Sequence, residues 1–298
     1  MRPHDNLPLT THTARRKRTM QLAIAGMACA VGLTIVAAPD GALAGAAPRQ
    51  AAPQKIVSLN LCADQYLVTL ADRGQIAGLT HNARNPQMSA IAAQVGDLRV
   101  LGQSAEEVLD IEPDLIVGMP ARRSSVVVAL KAQNYSTLDL RTAESFADIT
   151  AQIGKVASAI GHPARGEALI ARMQNDLAGL PKPGRGRVAA YYQRRGFMTG
   201  TGTLIDDLMH RAGLVNLAGK LGKPALSQLS IEELVAAQPD FIIVESATDR
   251  VTDQGTEMLH HPALAHIPRI RLPEAWTVCG GPAYVQAARS LVAQVGRY

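Results

Sequence analysis

Aromatic side chains are scarce in this chain: three Phe, one Trp and six Tyr among 298 residues. Its core must therefore be built from Ala, Val, Leu and Ile. Cysteine is equally thin, at three residues with no CxxC pair, which excludes a thioredoxin-like redox motif. No G-x-S-x-G elbow or Walker loop occurs, and no paired-carboxylate motif falls in a predicted cleft. "TGTGT" follows a strand signal but lacks the third glycine and downstream acid of a dinucleotide fingerprint. The histidines form no HxxxH pair or His-rich loop, and His260 and His261 lie in "LHHPAL", a helix-end turn. No metal site is expected from them, and no cofactor.

What is present begins with a leader. A basic patch, "ARRKR", precedes the 17-residue apolar run Leu22 to Ala38, a little short of the ~20 residues a membrane span needs. Pro39 and the small-residue site "ALA" (Ala42 to Ala44) follow. That order reads as a secretory signal peptide over residues 1–44, cleaved after Ala44; a lipoprotein reading through Cys29 is weaker. The leader holds five basic and two acidic residues, so the mature chain carries 25 against 23, a formal charge of +2. The high pI is thus partly a targeting signal and argues for no nucleic-acid partner. The mature chain keeps only Cys62 and Cys279, in a compartment where disulfides can persist.

Residues 45–54, "GAAPRQAAPQ", read as a tether. Beyond it, strand and helix signals alternate at short spacing, which predicts an α/β chain with largely parallel sheets. One unit occurs twice. "SAEEVLDIEPDLIV" spans Ser104 to Val117 and "SIEELVAAQPDFII" spans Ser230 to Ile243, a constant offset of 126 residues. Two copies so far apart indicate two similar lobes rather than a solenoid. The spacing predicts an N-terminal lobe over 55–145, linking helices over 146–181 with a break at Gly161 to Pro163, and a C-terminal lobe over 182–298. The second linking helix, about 25 Å long by helix rise, is long enough to span from lobe to lobe.

"SLNLCADQ" after the first strand, the two Glu-Glu…Pro-Asp units, and Trp276 with "GGP" before the last helix carry a resemblance. From about Lys55 to the C-terminus the chain resembles the helical-backbone class of periplasmic binding proteins, specifically the iron-siderophore and vitamin B12 branch of ABC-importer receptors. The resemblance implies a monomeric periplasmic receptor, not an enzyme. It would bind a metal chelate in a pre-formed inter-lobe cleft and deliver it to an inner-membrane permease dimer with its ATPase. It also selects Glu106 and Glu232, one per lobe, as the acids that dock on that dimer.

Cleft candidates are the loops after the strands, where α/β crevices form. They supply Asn60 and Cys62; Asn82 and Arg84; Arg122 and Arg123; Arg194, Arg195 and Met198; and Trp276 and Cys279. Arginines from three loops suit an anionic ligand, because the guanidinium fork binds carboxylate bidentately. Where vitamin B12-binding members place aromatics, this chain shows Asn82 and Met198, with Leu226 before the second repeat. Both features point towards a ferric siderophore, with cobalamin or haem as alternatives and His81 as an axial ligand in the latter cases. Cys62 and Cys279 fit a disulfide across the cleft, free thiols, or a thiolate on the ligand metal. A thiol-dependent periplasmic enzyme using one of them is the rival from another class, although no base lies nearby in sequence.

Overall fold

The computed structural model describes residues 51–102, 104–118, 130 and 135–298. The leader, the first part of the tether, and Arg122 with Arg123 lie outside them.

Strands β1 (Ile56–Ser58), β2 (Ile76–Gly78), β3 (Leu115–Gly118) and β4 (Thr137–Asp139) form a parallel sheet in the order β2-β1-β3-β4. The second sheet holds β5 (Val188–Tyr192), β6 (Phe197–Thr199), β7 (Val215–Asn216), β8 (Leu226–Gln228), β9 (Phe241–Glu245) and β10 (Arg269–Leu272). Its order is β10-β9-β5-β6-β8, with β7 parallel to the first half of β5. β10, β9 and β5 are parallel, whereas β6 runs antiparallel to β5 and β8. The chain is an α/β protein of two lobes. The antiparallel β6 departs from the sequence expectation, which placed Met198 in a loop.

Period-two alternation gives each sheet two buried faces. On β1 and β3, Ile56, Leu115 and Val117 point to one side and Val57 and Ile116 to the other. On β5 and β9, Ala189, Tyr191, Phe241 and Ile243 share one side, while Ala190, Tyr192, Ile242 and Val244 share the other. The first set from each lobe joins Ile149, Ile153, Leu169 and Met173 of the linking helices in one continuous apolar core. The outer faces form two separate, smaller cores. The linking helices therefore belong to both lobes at once.

Those helices, Phe146–Ala159 and Pro163–Ala178, are parted where expected. Gly161 takes φ +87°, Gly161 N–H donates to Ser158 O (3.2 Å) and His162 N–H to Ala157 O (2.7 Å). This is the Schellman stop that glycine allows, and Pro163 restarts the chain at a position where no N–H is missed. Gly166 lets the two helices close: a Cβ there would stand 2.5 Å from Ala157 Cβ. The end of the tether is held, not free. Gln75 Nε2 donates to Pro53 O (2.8 Å) and Gln54 N–H to Asp114 Oδ2 (2.7 Å).

Candidate ligand cleft between the lobes

The parallel strands of both sheets end in the loops singled out above. After β1, Asn60 caps the Leu61–Leu70 helix, its Oδ1 accepting from Ala63 N–H at 2.8 Å, so that oxygen is engaged in the fold. At the second position of this helix, Cys62 is bonded to Cys279, which follows β10, with Cα atoms 5.3 Å apart. The disulfide alternative is thus the one realised, and neither sulfur is a thiol. Tyr66 OH donates to Gly280 O beside the bridge. Gly280 is required there, because a Cβ would lie 2.3 Å from Ala143 Cβ of the first lobe. Bridge, hydrogen bond and glycine contact pin one side of the cleft.

The arginines are less available than the sequence suggests. Arg84 closes the 3₁₀ turn His81–Arg84, and its Nη2 donates to Gly96 O and Leu98 O, both at 3.1 Å. Arg194 is ion-paired through Nη2 with Asp253, which also caps the Gln254–Glu257 turn. Arg195 is exposed and sits at φ +57°, ahead of Gly196, whose missing side chain admits Leu229 O. Asn82 is half-buried in the turn after β2.

Met198 is a correction. It lies in β6, fully buried in the outer core of the second lobe, so it lines no cleft. Its neighbour Phe197 points the other way and is 37% exposed. Successive strand residues face opposite sides, so an alignment off by one residue exchanges the core side chain for the exposed one. Phe197 stands at the start of β6, at the end of the sheet where β5 finishes and where half-buried Trp276 follows β10.

A polar cluster missed in the sequence occupies the same sheet end. Glu245, the last residue of β9, accepts from Gln193 Nε2 (2.9 Å) and Tyr191 OH (3.4 Å), and Thr199 Oγ1 donates to Gln193 Oε1 (3.3 Å). Burial, together with the charge of Glu245, raises the pKa of Glu274 above the usual carboxylate range, with Arg194 opposing. Burial and Glu245 likewise push the Tyr191 phenol up. The legible signal was an acid closing an apolar strand, "FIIVE". Among the described residues no group of three or more His, Cys, Asp and Glu side chains is placed to hold a bare metal ion.

Glu106 and Glu232 occupy equivalent exposed positions in the first turns of the helices Ala105–Leu109 and Ile231–Ala236. In each helix the Ser N-cap accepts from the following Glu, Ser104 Oγ from Glu107 N–H (3.2 Å) and Ser230 Oγ from Glu233 N–H (3.1 Å). Hydrogen bonds at the helix start hold both Glu106 and Glu232 below the usual carboxylate range.

A family model described as periplasmic binding protein matches residues 56–271. A cobalamin-binding protein of Halobacterium salinarum is 24% identical over 205 residues, which are 67% of this chain and 56% of that protein; the match spans little more than half of that relative's length. A vitamin B12-binding protein of Pectobacterium carotovorum is 25% identical over 260 residues, 82% of this chain and 89% of the relative. Among solved structures, a periplasmic heme-binding protein from a Roseiflexus species superposes with a TM-score of 0.65 at 24% identity, covering 81% of this chain and 99% of that one; this likeness is one of fold.

Proposed function

The chain belongs to the periplasmic binding protein family, and from that premise we propose that it is the periplasmic receptor for a corrinoid of the cobalamin type, held between the lobes and handed to an ABC permease. In this reading residues 1–44 are a cleaved leader, the lobes and linking helices divide at 55–145, 146–181 and 182–298, and Glu106 and Glu232 meet the two permease subunits. The observation that carries the ligand choice is the exchange of Met198 for Phe197. In this reading Phe197 and Trp276, both at the end of the second sheet where its parallel strands finish, offer aromatic surface suited to a flat macrocycle. The engagement of Arg84 and Arg194 by protein partners removes much of the argument for an anionic chelate. The amide nitrogens that fringe a corrin suit the acceptors Glu245 and Glu274.

The second reading, a ferric siderophore bearing carboxylates, is favoured by the exposed Arg195. Trp276, the single tryptophan of the chain, distinguishes the two. Its fluorescence is expected to be quenched by cyanocobalamin at micromolar or lower concentration, and Phe197→Ala to weaken that binding about tenfold through lost aromatic contact. Quenching by ferric siderophores or haem but not cobalamin overturns the corrinoid assignment. Failure of all three overturns the chelate reading altogether.

A further inference from the structure

The segment between β10 and the last helix, Tyr284–Val295, carries Glu274 and Trp276 on the short turn Glu274–Thr277. Within it, Trp276 N–H donates to Pro273 O (3.0 Å) and Val278 N–H to Glu274 O (2.8 Å), so the shape of the turn is local. Its position is not. Just beyond the turn, Cys279 is bonded to Cys62, and at the next residue Gly280 O accepts from Tyr66 OH. Both anchors stand on one helix of the first lobe, Leu61–Leu70. The turn follows a strand of the second lobe and is held from the first.

The bridge is also placed to open. Cys279 is buried, but Cys62 is only half-buried, which leaves surface for an attacking thiol. Cys62 is the second residue of a ten-residue helix, and a helix N-terminus stabilises a thiolate. A stabilised thiolate favours the reduced state. The linking helices and the shared core join the lobes independently of the bridge, so opening it leaves them connected.

We propose that the Cys62–Cys279 bridge is a redox-sensitive switch on ligand retention. Closed, it holds the Glu274–Thr277 turn at the cleft; opened by a dithiol, it frees the turn, and the bound molecule leaves faster. The ligand half of this proposal rests on the corrinoid reading above. In the opening step a thiolate of the dithiol attacks Cys62 Sγ, the Sγ–Sγ bond breaks, and Cys279 leaves as a thiolate that takes a proton. The dithiol's second thiolate then attacks its own mixed disulfide, and Cys62 departs and is protonated in turn. The protein gains two hydrogens and the dithiol, now a disulfide, loses two.

Dithiothreitol is a suitable probe, applied to the folded mature protein at neutral pH. At millimolar concentration it is expected to open the bridge within about an hour, read by alkylation and intact mass, with far-UV circular dichroism unchanged. Opening should raise acrylamide quenching of Trp276 about twofold with no ligand present, as a segment freed to open locally exposes its side chains. It should weaken cyanocobalamin about tenfold in equilibrium dialysis, because a loosened turn must be ordered on binding; reoxidation should restore the affinity. A purely structural bridge would lower the melting temperature and move neither readout. Cys62→Ser with Cys279→Ser, studied without reductant, should match the opened wild type. Should that variant fold poorly, the dithiol-opened wild type still decides. The switch is overturned if the folded protein resists the dithiol, if Trp276 quenching is the same with the bridge open and closed, or if opening leaves cyanocobalamin affinity unchanged. If the closed form binds no cyanocobalamin, the corrinoid reading fails, and Trp276 quenching alone decides the switch.

Discussion

Glu274 shows how a residue's chemistry depends on neighbours that sequence does not display. "PEAW" is visible in the chain; that burial and Glu245 hold the Glu274 carboxyl above its ordinary value of 4.5 is visible only in the fold. A carboxyl whose folded pKa is raised binds its proton more tightly when folded, so its contribution to stability is most favourable below about 4.5 and declines as pH rises through the folded value. Glu274→Gln removes the titration. It is expected to raise the urea midpoint over wild type at neutral pH, with the gain fading in acid below about 4.5; an equal gain at both pH values would contradict the assignment. Phe197 and Met198 carry a related lesson. Residue types were legible in the sequence, but which of two neighbours faces the core was not, because a one-residue slip in a strand exchanges its faces. Arg84 and Arg194 were legible as charges, and their partners, backbone carbonyls and Asp253, were not.

The repeated element is where sequence and fold agree in most detail. Its Ser is the N-cap in both copies and its Glu pair forms the first turn, as carboxylates near a helix N-terminus should. Each helix is followed by a left-handed residue, Glu112 at φ 50° and Gln238 at φ 46°, again 126 residues apart. Then comes Pro, then an Asp that ties its strand to the first strand of its lobe. Asp114 Oδ1 accepts from Lys55 N–H (2.9 Å), and Asp240 Oδ2 from Val188 N–H (2.6 Å). The Pro-Asp thus has a structural use that spacing alone did not disclose. Asp240→Ala should cost about 1 kcal/mol for the lost bond to an exposed backbone donor. Gln238→Gly should act in the opposite sense, by up to about 1 kcal/mol, because glycine meets no Cβ penalty at positive φ. Denaturant unfolding reads both, and stabilisation by Asp240→Ala would refute the staple. The short strands β6 and β8 were illegible for the converse reason. Three residues carry too little periodicity to separate strand from loop, and β6 is also flanked by Gly196 and Gly200.

At the scale of the molecule, two lobes share one core through the linking helices and are stapled at Cys62–Cys279, a geometry suited to small changes in lobe angle rather than wide opening. Two lobes could be inferred from the repeat; the staple could not, since a bridge needs a Cα separation that sequence does not supply. Cys62→Ser with Cys279→Ser should lower stability by about 2–4 kcal/mol, and intact mass should rise by two hydrogens on reduction of wild type; no mass change would mean no bridge. Glu106 and Glu232 also belong to this scale, because their meaning depends on the pair. Dipole complementarity explains an acid in each first turn, and the backbone N–H groups of Glu107 and Glu233 donate to the Ser caps. It does not require a second, exposed Glu at the same helix position in both lobes. A two-lobed receptor that meets a two-fold symmetric permease does require matched charges at pseudo-symmetric positions. Exposed ion pairs contribute only ~0–1 kcal/mol each, which is enough to steer and register an encounter while allowing release. Glu106→Arg combined with Glu232→Arg is therefore expected to leave cleft affinity, read by Trp276 quenching, unchanged, and to depress both transport and stimulation of the importer's ATPase. Wild-type transport by the double variant would reduce the two acids to helix-start residues.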